Sequence, residues 1–207
     1  MHDTSLAASV ASRICHDLVS PVGAVVNGVE MVREMGAAGD AESIGMIGQS
    51  AGRASALLQL YRVAFGNAEA DAQGFGRGTL AEHAAVLFVP PRMVLDWPER
   101  GGPALARREA RLLTLLLLCA RSTLAMRGSV VLRTGTHAAL PLSIDVVAET
   151  LSSGAEMLAL LEGDDGGAVS PRAVEFVLAR DAARELDVRL AVSRTEGRVA
   201  ISAAPMG

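Results

Sequence analysis

The stretch RICHDLVSPVGAV (residues 13–25) places a histidine–aspartate pair and then a proline inside an apolar run, in a chain with only four histidines. Around it, Ile14, Leu18, Val22, Val25, Val29 and Val32 recur at spacings of three and four, which predicts a helix over residues 5–35 with one apolar stripe. Thr4 or Ser5 is the expected cap. At about 100° per residue, positions 16, 20, 23 and 27 share a different face. That face carries His16, Ser20, Gly23 and Asn27, all polar or small, so the histidine is expected to point to solvent. A solvent-facing imidazole becomes a nucleophile when one nitrogen is held protonated and the other is left free. Asp17 is the candidate holder of Nδ1, reaching across the helix surface, and Ser20 stands one turn on. Pro21 removes the hydrogen bond to the Asp17 carbonyl and is expected to bend the helix beside the histidine.

The run ends at GAAGD (residues 36–40), and a second helical pattern follows over residues 41–65, with Ile44, Ile47, Ala51, Ala54, Leu58 and Tyr61 on one face. The two form an antiparallel hairpin. Such a hairpin has nothing to close its apolar side, and the economical solution is a four-helix bundle built from two copies of the chain. Small residues, including Gly45, Gly48 and Gly52, are expected to permit close helix approach. The alternative is that the C-terminal half covers the hairpin.

GNAEADAQGFGRG (residues 66–78) reads as a linker. Beyond it the periodicity changes: a short helix over 80–88, an edge strand RMVLDW (92–97) between prolines and a strong helix over 104–126. Strands SVVLRTG (129–135) and LPLSIDVVAE (140–149) follow, and then a helical stretch GAEMLALLEG (154–163). A helix starting at Ser170-Pro171 and a hairpin of DVRLAVSR and GRVAISA across Thr195-Glu196-Gly197 complete the chain. The fold class is α+β, with helices on one face of a mainly antiparallel sheet. The domain division is 1–66 for the hairpin, 67–78 for the linker and 79–207 for the second domain.

Half of the residues are apolar, every basic residue is arginine and the net charge is −4. That balance argues against a protein whose main task is to grip a nucleic acid backbone. LLTLLLLCA (112–120) has about half the ~20 residues that cross a bilayer and is flanked by Arg107, Arg108, Arg111 and Arg121, so it reads as a buried helix. No secretory leader is recognisable, and Cys15 and Cys119 have neither disulfide-framework nor zinc-site spacing. A cytoplasmic protein with reduced thiols is expected. No metal site is expected either, because His83 and His137 lie far from His16 in sequence.

The segment HDLVSPV (16–22) resembles the H-box of two-component histidine kinases and their dimerising phosphotransfer domains. The wider ICHDLVSPVGAVVNGVEMV (14–32) is similar to the ChpT-like histidine phosphotransferases of alphaproteobacteria. Val19 stands where full kinases commonly have a basic residue, which fits the phosphotransferases better. The order of elements after residue 79 resembles a kinase ATP-binding α/β sandwich whose motifs have degenerated. Leu115 and Cys119 stand where the catalytic glutamate and magnesium-binding asparagine belong, and Glu149 lies at the adenine-recognition place without its glycines. Asp164 and Asp165 in EGDDGG would repel a triphosphate. The resemblance implies a cytoplasmic homodimeric phosphocarrier of a phosphorelay controlling the cell cycle. His16 would take a phosphoryl group from the receiver-domain aspartate of a hybrid kinase and pass it to response-regulator receivers. It makes Asp17 the orienting partner and Ser20 a near-site polar group, and it requires no cofactor, since the Mg2+ belongs to the receiver. Gly23, Asn27, Arg53, Leu57 and Tyr61 are the candidate receiver contacts, chosen by face. Two rival readings stand beside it: an ATP-dependent sensor-type kinase, and a non-catalytic dimeric adaptor that binds receivers. A DNA-binding regulator is disfavoured by charge and by the lack of a helix-turn-helix pattern.

Overall fold

The computed structural model describes residues 2–35, 41–66, 74–136, 140–163 and 170–206. Helix α1 spans His2–Met35 and runs without interruption through Pro21. It begins before Thr4 and Ser5, which therefore lie inside it and not at its cap. Helix α2 spans Ala41–Phe65 and packs antiparallel along α1. The close approach of the two helices falls at Gly28, where a Cβ atom would come within 2.6 Å of the Ile47 side chain. A Cβ atom at Gly45, Gly48 or Gly52 would meet nothing within 4 Å, so these glycines do not serve the contact expected of them within the chain.

The apolar stripe of α1 divides in two. Ile14, Leu18, Val25 and Val32 turn inward and are half-buried, whereas Val22 and Val29 are exposed. With Val19 and Val26 these form an outward row at positions 19, 22, 26 and 29, the three-four spacing of a heptad seam. Helix α2 behaves alike: Leu57, Leu60, Tyr61, Val63 and Ala64 are buried, while Ile44 and Leu58 face outward.

The second half is a two-layer α+β unit. Its five strands are β1 (Met93–Asp96), β2 (Gly128–Thr134), β3 (Leu142–Ala148), β4 (Val188–Thr195) and β5 (Arg198–Pro205). They lie in the order β1-β2-β3-β5-β4. The edge pair β1–β2 is parallel and every other pair antiparallel. Alternation puts two cross-strand rows on the inner face, Leu132–Ile144–Ile201 and Val130–Val146–Val199, and all six side chains are fully buried. Helices α3 (Arg77–Ala85), α4 (Arg107–Thr123) and α5 (Val174–Glu185) and a 3-10 segment over Ser153–Glu162 complete the unit. The segment over 170–173 is a turn. Helix α5 starts at Val174 with Ala173 in the cap position, so Ser170 and Pro171 precede the helix instead of opening it.

Helix α4 is the centre of the molecule. Leu112, Leu113, Leu115, Leu116, Leu117 and Cys119 show no exposed surface, as an all-round apolar helix requires. At its start, Glu109 Oε2 accepts from the Ala106 backbone N–H at 3.1 Å. The arginines that flank it do more than mark its ends. Arg111 Nε donates to the Ala64 carbonyl at 3.3 Å and Arg107 Nη2 to the Arg62 carbonyl at 3.5 Å. Both carbonyls belong to the last turn of α2, and the Arg62 carbonyl also accepts from the Gly66 N–H at 3.2 Å. The second half thus holds one end of the hairpin and leaves its outward seam open. Among the described residues no helix is long and apolar enough to cross a membrane.

Truncating Leu116 to Ala removes buried volume at the meeting point of these layers. The variant is expected to lose about 2–5 kcal/mol of stability, measured by urea unfolding; a loss below ~1 kcal/mol would show that α4 is not the core.

Candidate functional site

His16 stands on α1 with its side chain 84% exposed. Ser20 and Asn27, one and three turns along, are also exposed, and Gly23 between them leaves the backbone bare. Asp17 is 100° further round the helix, on the flank between this face and the buried one, with 22% of its side chain exposed. Its Oδ1 lies 2.9 Å from His16 Nδ1. An ionised carboxylate only accepts, so the bond requires Nδ1 to carry the proton and leaves the Nε2 lone pair facing solvent.

The other carboxylate oxygen is held from two directions. The Tyr61 hydroxyl of α2 donates to Asp17 Oδ2, and Arg13 Nε lies 3.1 Å from the same atom. Partial burial alone would raise the Asp17 carboxyl, but the Tyr61 hydroxyl, His16 and Arg13 outweigh it and hold it below the ordinary carboxylate range. Burial and the neighbouring carboxylate push the Tyr61 phenol up, so it stays protonated as a donor. Arg13 Nη1 reaches onward to Glu175 Oε1 of α5 at 3.4 Å, and Ser122 Oγ donates to that same oxygen at 2.6 Å. His16 also stands at the rim of a cleft of about 340 Å³, lined in part by Arg13, Ser122, Ser152 and Arg172. In its wall, Ser152 donates to the Ser122 carbonyl and accepts from the Gly154 N–H.

The sequence-derived face of His16, Ser20, Gly23 and Asn27 therefore lies together, and Arg53 of α2 is exposed. Leu57 and Tyr61 correct the expectation: each is only 3% exposed, so neither offers surface to a docking protein. Leu57 is core, and Tyr61 faces Asp17 because the inner stripe of α2 runs past the flank of α1. Arg13, Ser122 and Glu175 were not singled out by sequence. Arg13 carries one readable signal, its i,i+4 spacing to Asp17. Glu175 carries another, a lone acid within the apolar run AVEFVLA. Leu115 and Cys119 are buried in α4 among leucines. Asp164 and Asp165 lie outside the described residues, as does His137.

A family model described as the histidine phosphotransferase C-terminal domain matches residues 77–198. Protein phosphotransferase ChpT of Brucella abortus (strain 2308) is 36% identical over 128 residues, which is 62% of this chain. The chain spans about 60% of the length of that relative. A solved bacterial phosphotransferase superposes with a TM-score of 0.74 at 26% identity, covering 98% of this chain and 97% of that one.

The donors to Asp17 have a measurable consequence. Its folded value lies below the ordinary one, about 3.9, so the carboxylate adds stability above that pH and the contribution is lost as pH falls through the folded value. Tyr61→Phe removes a donor to the charged form. The Asp17 carboxyl should then titrate higher, seen by 13C NMR, and the fold should lose about 1.5–3 kcal/mol at neutral pH. An unchanged titration would mean that the phenol does not hold the carboxylate.

Proposed function

The chain belongs to the histidine phosphotransferase family, and from that premise we propose that it is a phosphocarrier working between receiver domains. Nε2 of His16 attacks the phosphorus of a receiver's aspartyl phosphate. The P–N bond forms as the acyl P–O bond breaks, and the receiver's carboxylate leaves as the anion. The imidazole then carries phosphoryl on Nε2 and the proton on Nδ1, and Asp17 stabilises its positive charge. The same steps in reverse load a second receiver. One observation carries this reading: an exposed histidine whose Nδ1 is bound to a fixed carboxylate, on a helix face otherwise bare.

The divalent cation of such a transfer belongs to the receiver. Nucleotide is not called for, since apolar side chains at Leu115 and Cys119 supply no oxygen ligands for a hard cation. The open face of Ser20, Gly23 and Asn27, with Arg53 of α2, is the proposed docking ground for the receivers of a hybrid kinase and of response regulators.

A second copy of the chain covers the outward seam in this proposal. Val19, Val22, Val26 and Val29, together with Ile44 and Leu58, are 40–70% exposed, more contiguous apolar surface than a lone hairpin keeps in water. Pairing two hairpins along such a row makes a four-helix bundle with a two-fold axis. His16 lies about 100° away from this seam on α1, so dimerisation leaves it uncovered.

Two measurements test the proposal. Receiver domains charged with 32P-aspartyl phosphate should label the wild-type chain and leave His16→Ala unlabelled. Equal labelling of the two would reject His16 as the acceptor. In sedimentation equilibrium the wild type should have the mass of two chains and Val26→Glu that of one; a wild-type monomer at micromolar concentration would reject the bundle.

A further inference from the structure

Glu175 is an expensive residue. It is 1% exposed, and its Oε2 has no hydrogen-bond partner. Burial raises its carboxyl, against the pull of Arg13 and Ser122. A buried acid of this kind is a poor source of stability, because an apolar side chain of similar volume often serves the fold as well or better. Two features make it tolerable as an anion: its place in the first turn of α5, where the helix dipole favours negative charge, and the donation from Ser122. Both aim its Oε1 at α1, where Arg13 meets it.

Arg13 needs that anchor. On one helix, an arginine four residues before an aspartate is the weaker orientation of such a pair, worth a few tenths of a kcal/mol. With Glu175 behind it, the guanidinium is fixed between two carboxylates. It then occupies Asp17 Oδ2 together with Tyr61, which leaves Oδ1 turned to His16.

We propose that Glu175 and Ser122 are positioning residues for phosphotransfer at His16, acting through Arg13 on the rotation of the Asp17 carboxylate. The inference rests on the phosphocarrier reading and adds a task for the second domain: it orients the acid that serves the histidine. Neither residue touches the phosphoryl group. Loss of either lets the guanidinium swing, and the carboxylate then samples rotations that no longer hold Nδ1–H.

The test uses the full chain labelled with 15N-histidine, with potassium phosphoramidate as phosphodonor. Glu175→Gln keeps the side-chain shape and relieves a buried charge, so it is expected to fold as the wild type does by circular dichroism. It should shift the His16 imidazole nitrogens toward a mixture of tautomers. It should also slow phosphorylation, followed by 31P NMR, by about tenfold, the scale of a modest loss of alignment. Ser122→Ala leaves the carboxylate in place without its anchor and should move both readouts in the same direction; it carries the test if Glu175→Gln does not fold. In an Arg13→Gln background, Glu175→Gln should add nothing further, because the two act in series.

A folded variant with wild-type imidazole signals and wild-type rate overturns the inference, and so do fully additive effects with Arg13→Gln. His16→Ala separates the two levels. If it takes up phosphoryl as fast as the wild type, the phosphocarrier reading falls, while the imidazole signals still judge whether Glu175 and Ser122 set the histidine.

Discussion

A carboxylate orients an imidazole only if its own rotation is fixed, and on an exposed helix face a neighbour one turn away does that only weakly. Here Asp17 sits at the boundary between the bare face of α1 and its buried flank, so its two oxygens meet different worlds. Oδ2 is occupied from the inside by Tyr61 and Arg13, and Oδ1 faces outward to His16. The division depends on three elements arriving at one point: α1 supplies the pair, α2 the phenol, and α5 the acid that anchors the arginine. Each arrival is in turn a matter of packing. The inner stripe of α2 brings Tyr61 against α1, and α4 brings Ser122 and, through α5, Glu175.

Helix α4 makes that convergence possible because it is apolar on all sides. It packs against α2, α5 and the sheet at once, and the arginines at its N-terminal end donate to carbonyls in the last turn of α2. The hairpin is therefore joined to the second half through the last turn of α2. The same composition places no oxygen ligand for a hard cation at Leu115 or Cys119. What the domain offers the hairpin is hydrogen-bonding geometry at one end of the cleft beside His16.

Most of the architecture was legible because it follows from period and punctuation. The limits of α2, the edge position of β1, the turn before β5 and the buried character of α4 all come from patterns within a short window. The face of His16 follows from the 100° step of the helix. What the sequence could not show is which half of a broad apolar stripe faces its own hairpin and which faces outward. Tyr61 lies on the inner half and is buried, yet both halves carry the same residue types and only the third dimension separates them. Ser170-Pro171 has the composition of a helix start, yet the chain first makes a turn and the helix opens at Val174. Arg13, Ser122 and Glu175 lie far apart along the chain, on three different helices, and no local rule joins them.

Helix α1 thus carries three faces at three angles, and each constrains the others. The inner face must be apolar to meet α2, the outer row is apolar and exposed, as the proposed pairing with a second hairpin requires, and the remaining third is small and polar, as the proposed docking of a receiver requires. A 34-residue helix with two apolar faces would read as buried all round, were it not for the interruption at His16, Ser20, Gly23 and Asn27. Small residues there cost helix propensity; the loss is supportable because two faces gain packing. The histidine–aspartate pair works at the edge of that bare strip, where one side chain has solvent and its neighbour has partners. Moved one residue either way along the helix, the pair would lose one or the other.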